Sequence, residues 1–224
     1  MTAEDYPKPS VTVDVVIITL RDKELQVLLI KRDLAPYRGK WAVPGGFVHI
    51  DEALEAAARR ELREETGVSE VYLEQLYTFG ELGRDPRGRV ISVAYIALVP
   101  APLAVTAGSD AREARWWPIG ELPPLAFDHN QILQYALTRL RYKIEYSPVG
   151  FRLMPEKFTL SALQKAYEII LGEPLDKRNF RRRINEAKVI EPTDTYHSGE
   201  GRPARLYRFR RDAIAEVKAR RLFP

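Results

Sequence analysis

Hydrophobic residues in this chain change their spacing several times, and each change marks an element. Residues 11–20 and 25–31 are nearly continuous runs of Val, Ile and Leu around the polar stretch Arg21-Asp22-Lys23-Glu24, which predicts a hairpin of two strands. Residues 71–79, 90–99 and 114–119 predict further strands, with a polar loop at 80–89. From Asp51 to Thr66 the spacing becomes helical, with Asp51 as the expected N-cap and Gly67 as the stop. A second helix is expected over 130–145. Beyond the breaks Ser147-Pro148-Val149-Gly150 and Met154-Pro155, a helix is expected over 159–171, with Leu160, Leu163, Tyr167 and Ile170 on one face. Gly172-Glu173-Pro174 ends it, and Asp176 can cap a helix reaching about Lys188. Strands near 189–191 and over 205–210 come next, around a Gly/Pro tip. Strands mixed with helices predict an α/β domain over 1–148, and helix, turn, helix, hairpin predicts a winged helix over 149–224.

Composition narrows the chemistry. With 45% hydrophobic residues in 224, the chain can bury ordinary globular cores. The absence of cysteine excludes disulfides, thiolate metal sites and cysteine nucleophiles. No apolar run approaches the roughly 20 residues that span a bilayer, and MTAEDYPKPS lacks a signal pattern, so no membrane association and a cytoplasmic location are expected. The net charge of +4 conceals an asymmetry: residues 149–224 carry +7 and the remainder −3. A basic second domain behind an acidic first one points to a polyanionic partner for the second.

The helix over 51–66 carries an anomaly. At 100° per residue, Leu54, Ala57 and Ala58 share an apolar stripe, and Glu61 and Glu65 fall on the same stripe, with Glu64 at its edge. Glu55, Arg59 and Arg63 take the opposite, solvated side. Two like charges directed inward cost several kcal/mol unless compensated, and a hard divalent cation, Mg2+ or Mn2+, is the natural compensation for oxygen ligands.

The run GFVHIDEALEAAARRELREETGV also resembles the signature of the Nudix family, at Gly46, Glu52, Arg60, Glu61, Leu62, Glu64, Glu65, Gly67 and Val68. Trp41-Ala42-Val43-Pro44-Gly45 resembles the family's lead-in, and the likeness covers residues 10–146. It implies a Nudix α/β/α sandwich with a mixed sheet, and a metal held by Glu61, Glu64, Glu65 and the backbone oxygen of Gly45. It further implies Arg60, Glu61 and Glu64 in the catalytic set, with Arg60 holding the carboxylates in register. Glu52 reads as structural; Asp110 and Glu113 are candidate general bases by position alone, against the plainer reading of loop acids. The loop containing Arg84, Arg87 and Arg89 resembles that of ADP-ribose-handling members, and Arg32 joins these as a candidate ligand contact. Trp41, Phe79 and Tyr95 could stack on a base, although aromatics at strand positions more often fill cores. His49, His129 and His197 show no metal-ligand spacing and read as capping or loop residues.

In the helix after Asp176, Phe180, Ile184 and Ala187 form the inward stripe. Lys177, Arg178, Arg181, Arg182, Asn185 and Lys188 share an adjoining arc without an acidic residue. Arginine can pair with guanine, asparagine with adenine, and the other cations with phosphates. Arg202 and Arg205 would lie on the wing. The stretches FTLSALQKAYEIILGEPLDKRNFRRRI and GRPARLYRF, behind a Nudix-like domain, resemble the Nudix-related transcriptional regulators of NAD metabolism. That resemblance implies a homodimer that senses ADP-ribose or a related nucleotide and binds a double-stranded DNA operator. Members often have degraded signatures; this one is complete, so a pyrophosphatase with a dimerising tail, or a bifunctional protein, are alternative expectations.

Overall fold

A computed structural model describes residues 7–67, 71–101, 111–197, 203–210 and 213. The chain opens with β1 (Ser10–Arg21) and β2 (Glu24–Arg32), joined by a two-residue turn in which Asp22 and Lys23 both take positive φ. That turn matches the right-handed twist of the strands it joins. Next come β3 (Trp41–Ala42), β4 (Gly45–Phe47), α1 (Leu54–Thr66), β5 (Tyr72–Phe79), β6 (Val90–Val99), β7 (Ala111–Pro118) and α2 (His129–Tyr146). One seven-stranded sheet takes the order β3-β2-β1-β6-β5, with β4 added to β1 and β7 to β2. β1 is buried without interruption from Thr12 to Thr19, the pattern of a strand covered on both faces. β5, at the edge, is only half-buried. The expected strands are therefore present, with β7 starting three residues earlier than the apolar pattern showed.

Helix α1 corrects two details. Its N-cap is Ala53, with no side-chain cap, rather than Asp51. Residues 49–52 instead close a turn in which the Glu52 amide donates to the His49 carbonyl at 3.2 Å. Leu54, the first helical residue, is 37% exposed, whereas Ala57, Ala58 and Leu62 are sealed. Gly67 ends the helix at φ 73° as expected, donating its N–H to Arg63.

The remaining elements are α3 (Leu160–Leu171), α4 (Lys177–Glu186), β8 (Ile190–His197) and β9 (Ala204–Phe209). Thr159 caps α3 by accepting the Ala162 N–H, and Asp176 caps α4 by accepting the Asn179 N–H at 2.8 Å. α4 ends at Glu186, short of Lys188, which lies at φ 51°. β8 is longer than its apolar residues suggested: past a register shift between Pro192 and Tyr196, Tyr196 and His197 pair with Arg205 and Ala204 of β9. Phe158 adds a bridge to Tyr207. Leu163, Tyr167, Ile170, Phe180 and Ile184 form the core between α3 and α4; Leu160 and Ala187, expected in it, are only half-buried.

The chain divides into two compact units, and the division falls inside α2, after Ala136. The second unit takes the rest of α2 and the elements C-terminal to it, with the hairpin tip Thr19–Leu25 and the end of β6.

Candidate ligand pocket and nucleic-acid interface

Glu61 and Glu65 are 8% and 7% exposed, so the inward carboxylates inferred from the helical wheel are inward. The space for Glu61 exists because Gly46, which it faces, lacks a side chain. A β-carbon on Gly46 would overlap the Glu61 carboxylate, and one on Gly45 would overlap the Val13 carbonyl. The Gly45 N–H donates to Glu65 Oε2 at 2.7 Å. Burial pushes the Glu65 carboxyl up to about 8, against the pull of the Gly45 amide and with help from Glu61 and Asp14. Burial also raises Glu61, opposed by Arg60.

Arg60 binds the acidic groups together. Its Nε and Nη2 donate to the two oxygens of Glu52, both at 2.8 Å. Its Nη1 donates to Glu61 at 2.6 Å and to the half-exposed Glu64 at 3.3 Å, and Nη2 also donates to the Phe47 carbonyl. Hydrogen bonds from Arg60 pull Glu52 down to about 2. Because Glu52 precedes the helix, its carboxylate can meet Arg60 eight residues on. Among the described residues no three acidic or histidine side chains are close enough to chelate an ion.

These carboxylates line a cavity of about 450 Å³. Arg32 and Arg87 line it too, with the rings of Phe47 and Phe127. The Arg87 guanidinium lies 4.8 Å from the Phe47 ring and 5.6 Å from Phe127, and Arg32 lies 4.8 Å from Phe127. Burial, then the like charge of Arg87, lowers the pKa of Arg32. Arg87 is held by Asp85 through Nε and Nη2.

Of the other two arginines of the 80–89 loop, Arg84 also lines the cavity and Arg89 does not. Arg84, its side chain 5% exposed, makes a bidentate pair with Asp128 at 2.9 and 2.7 Å and reaches Asp14 at 3.4 Å. Arg89 turns back to the Gly80 and Glu81 carbonyls and does not line the cavity. Asp14 and His129 line the cavity as a polar floor, and Asp128, next to His129 in the chain, holds Arg84. Asp14 accepts from Ser92, and its other oxygen lies 3.5 Å from His129 Nε2. His129 Nδ1 accepts the Val43 N–H at 3.1 Å. This grouping escaped the sequence reading because Asp14 lies in β1 and the pair Asp128-His129 at the start of α2, far apart in the chain; Asp14 left a trace only as a charge inside an apolar run.

Glu113 pairs across the sheet with Lys31 and is not among the residues that line the cavity. Asp110 lies outside the described residues. Tyr95 is buried in the sheet, Trp41 packs on Trp117, and Phe79 packs on Tyr77 and Tyr135. The cavity's aromatics are instead Phe47 and Phe127. His49 lines the cavity from an exposed turn.

On α4, Lys177, Arg178, Arg182 and Asn185 are exposed. Arg182 donates to Asn179 Oδ1 at 2.8 Å and lies 3.5 Å from Glu186. Arg181 is half-buried, with Nη2 3.5 Å from the Ser161 hydroxyl. Arg205 is exposed on β9, its Nε donating to the Thr193 carbonyl. Arg202 lies outside the described residues.

Comparison with known proteins matches residues 10–137 to the NUDIX domain and residues 150–209 to the NrtR DNA-binding winged helix domain. The chain is 43% identical over 209 residues to the ADPR responsive transcriptional repressor NtrR of Acinetobacter baylyi, covering 92% of this chain and 84% of that one. The structure of Shewanella oneidensis NrtR complexed with a 27mer DNA superposes with a TM-score of 0.80 at 39% identity, over 92% of this chain and 95% of that one. The NUDIX domain of the same protein complexed with ADP ribose gives a TM-score of 0.58 at 38% identity, over 62% of this chain and 94% of that one.

Proposed function

The chain belongs to the Nudix family, with an NrtR winged helix behind its Nudix domain, and we propose that it is an ADP-ribose-responsive transcriptional repressor. The observation that supports this best is the cavity in which buried carboxylates face two arginines and two phenylalanines. Those groups suit a ligand with a diphosphate and a flat base. Arg32 and Arg87 contact the diphosphate. Arg84 and Arg89 hold the loop and the cavity floor rather than the ligand.

The carboxylates of α1 suit a divalent cation, Mg2+ or Mn2+. Glu61 and Glu65 present hard oxygens whose burial makes a bare negative charge unfavourable. Glu61 and Glu65, with Glu64 and the Gly45 carbonyl, would hold it, and Arg60 would keep them in register. The ion, when bound, neutralises charge on the diphosphate.

The winged helix binds duplex DNA through α4, with Lys177, Arg178, Arg182 and Asn185 facing the groove. Arg181, on the same helix, and Arg205, on β9, would join them. The protein works as a homodimer on a two-part operator in the cytoplasm, and ADP-ribose acts by its different affinity for DNA-competent and incompetent states. Among the described residues no helix is long and apolar enough to cross a membrane. A gel shift on duplex from its own upstream region, with and without ADP-ribose, tests this reading. Binding that is salt-sensitive but indifferent to sequence and nucleotide would defeat it.

The complete Nudix signature favours a second activity, slow hydrolysis of the same ligand. Release of AMP from ADP-ribose should require Mg2+ and fall at least 100-fold in Glu65→Gln. Equal turnover in the variant would remove the carboxylate site from any hydrolysis.

A further inference from the structure

Phe127 stands in an unusual position. It takes φ 51°, which bulky side chains rarely adopt and which persists only where the surroundings impose it. One side of its setting is the buried cluster of Ile30, Ala42 and Ala126. Tyr37, itself at φ 63°, meets its ring edge-on at 4.8 Å. The guanidiniums of Arg32 and Arg87 lie 4.8 and 5.6 Å from the same ring. Two like charges gathered at a half-buried place repel each other, and Arg87 weakens the protonated form of Arg32. An aromatic ring offsets that repulsion, because its negative π-faces attract both cations.

We infer that Phe127 is a positioning residue, holding Arg32 and Arg87 together as a clamp for a diphosphate; this rests on the ligand reading above. Arg32 is committed only through Nε, to the Pro36 carbonyl at 3.0 Å. Arg87 is committed to Asp85 through Nε and Nη2. Both Nη groups of Arg32 and Nη1 of Arg87 have no hydrogen-bond partner among the described residues. Two forked donors fixed side by side match the two phosphates of a diphosphate better than a single phosphate.

Calorimetry on the full chain, with divalent metal chelated, should measure binding of inorganic pyrophosphate and of ADP-ribose. Phe127→Leu keeps an apolar side chain but removes the π-faces, and should weaken both by about tenfold. Phe127→Tyr keeps the ring and should stay within about twofold of the original affinity. Pentafluorophenylalanine at this position keeps the shape and reverses the ring's charge distribution, so it should bind as poorly as the Leu variant. It decides the matter if the Leu variant does not fold. Unchanged affinity with the fluorinated ring, or failure of a folded Tyr variant, would overturn the clamp. A wild-type chain that binds pyrophosphate through Phe127 but ignores ADP-ribose would sink the ligand reading and leave the clamp standing. ADP-ribose bound equally by every variant would do the reverse.

Discussion

The cavity in the Nudix domain and helix α4 both concentrate charge, but they do so in opposite ways. In the cavity, acids and bases come from β1, β2, α1, the 80–89 loop and the start of α2, and many are buried and paired. On α4 the charges come from one helix of ten residues, and most remain in water. Buried charges must satisfy one another, so each is fixed by its partner. Surface charges need no such partner, so α4 can hold cations in reserve for a polyanion.

The sharpest way to break this contrast is at Arg84. Removing it by Arg84→Ala leaves Asp128 and Asp14 facing each other in a nearly sealed place. A loss of about 3–5 kcal/mol is expected, read by chemical denaturation. A loss below about 1 kcal/mol would mean that the pair is effectively solvated, and the distinction from α4 would fail.

On α4 the expectation reverses. Arg178→Ala and Arg182→Ala should each change stability by less than about 0.5 kcal/mol. Operator binding should fall by about 1–3 kcal/mol where the side chain meets a base edge. Where it meets phosphate, affinity should fall uniformly across sequences and the salt slope should shallow by about one. Arg182 already has Asn179 and Glu186 as partners, so its loss should be the smaller of the two. No change in DNA binding from either variant would remove the helix from the interface.

The same contrast explains what could be read beforehand. α4 and its cap were legible because Asp176, Phe180 and Ile184 lie within one local period. Glu61 and Glu65 were legible for the same reason, as charges repeating along an apolar stripe. The tie between Arg84 and Asp128 was not, since the two lie 44 residues apart. Phe47 and Phe127 went unread while Trp41, Phe79 and Tyr95 were named, because strand registers and loop paths decide which aromatic reaches a cavity. The cap at Asp51 failed because Glu52 is needed in the turn before the helix, where it meets Arg60.

His129 gives a smaller effect that separates the buried floor from the solvated face by pH. The imidazole is buried, and burial lowers its pKa below the ordinary value near 6.5. Asp14 and Asp128 act to raise it, while Arg84 and Arg32 act in the same direction as burial. The neutral ring has a defined job, since Nδ1 accepts the Val43 N–H and Nε2 faces Asp14. In the unfolded chain the histidine takes up a proton below about pH 6.5, while the folded protein resists doing so. Its contribution to stability is therefore complete above that pH and declines as the pH falls toward the lowered folded value. His129→Asn keeps a short acceptor near the Val43 amide without a titrating group. Comparing the pH dependence of unfolding free energy in the two proteins cancels the carboxylates they share. The variant should lose less stability between pH 6.5 and 5 than the parent. Parallel curves would show that His129 accepts its proton as readily inside the protein as in water, and that the floor of the cavity is wet.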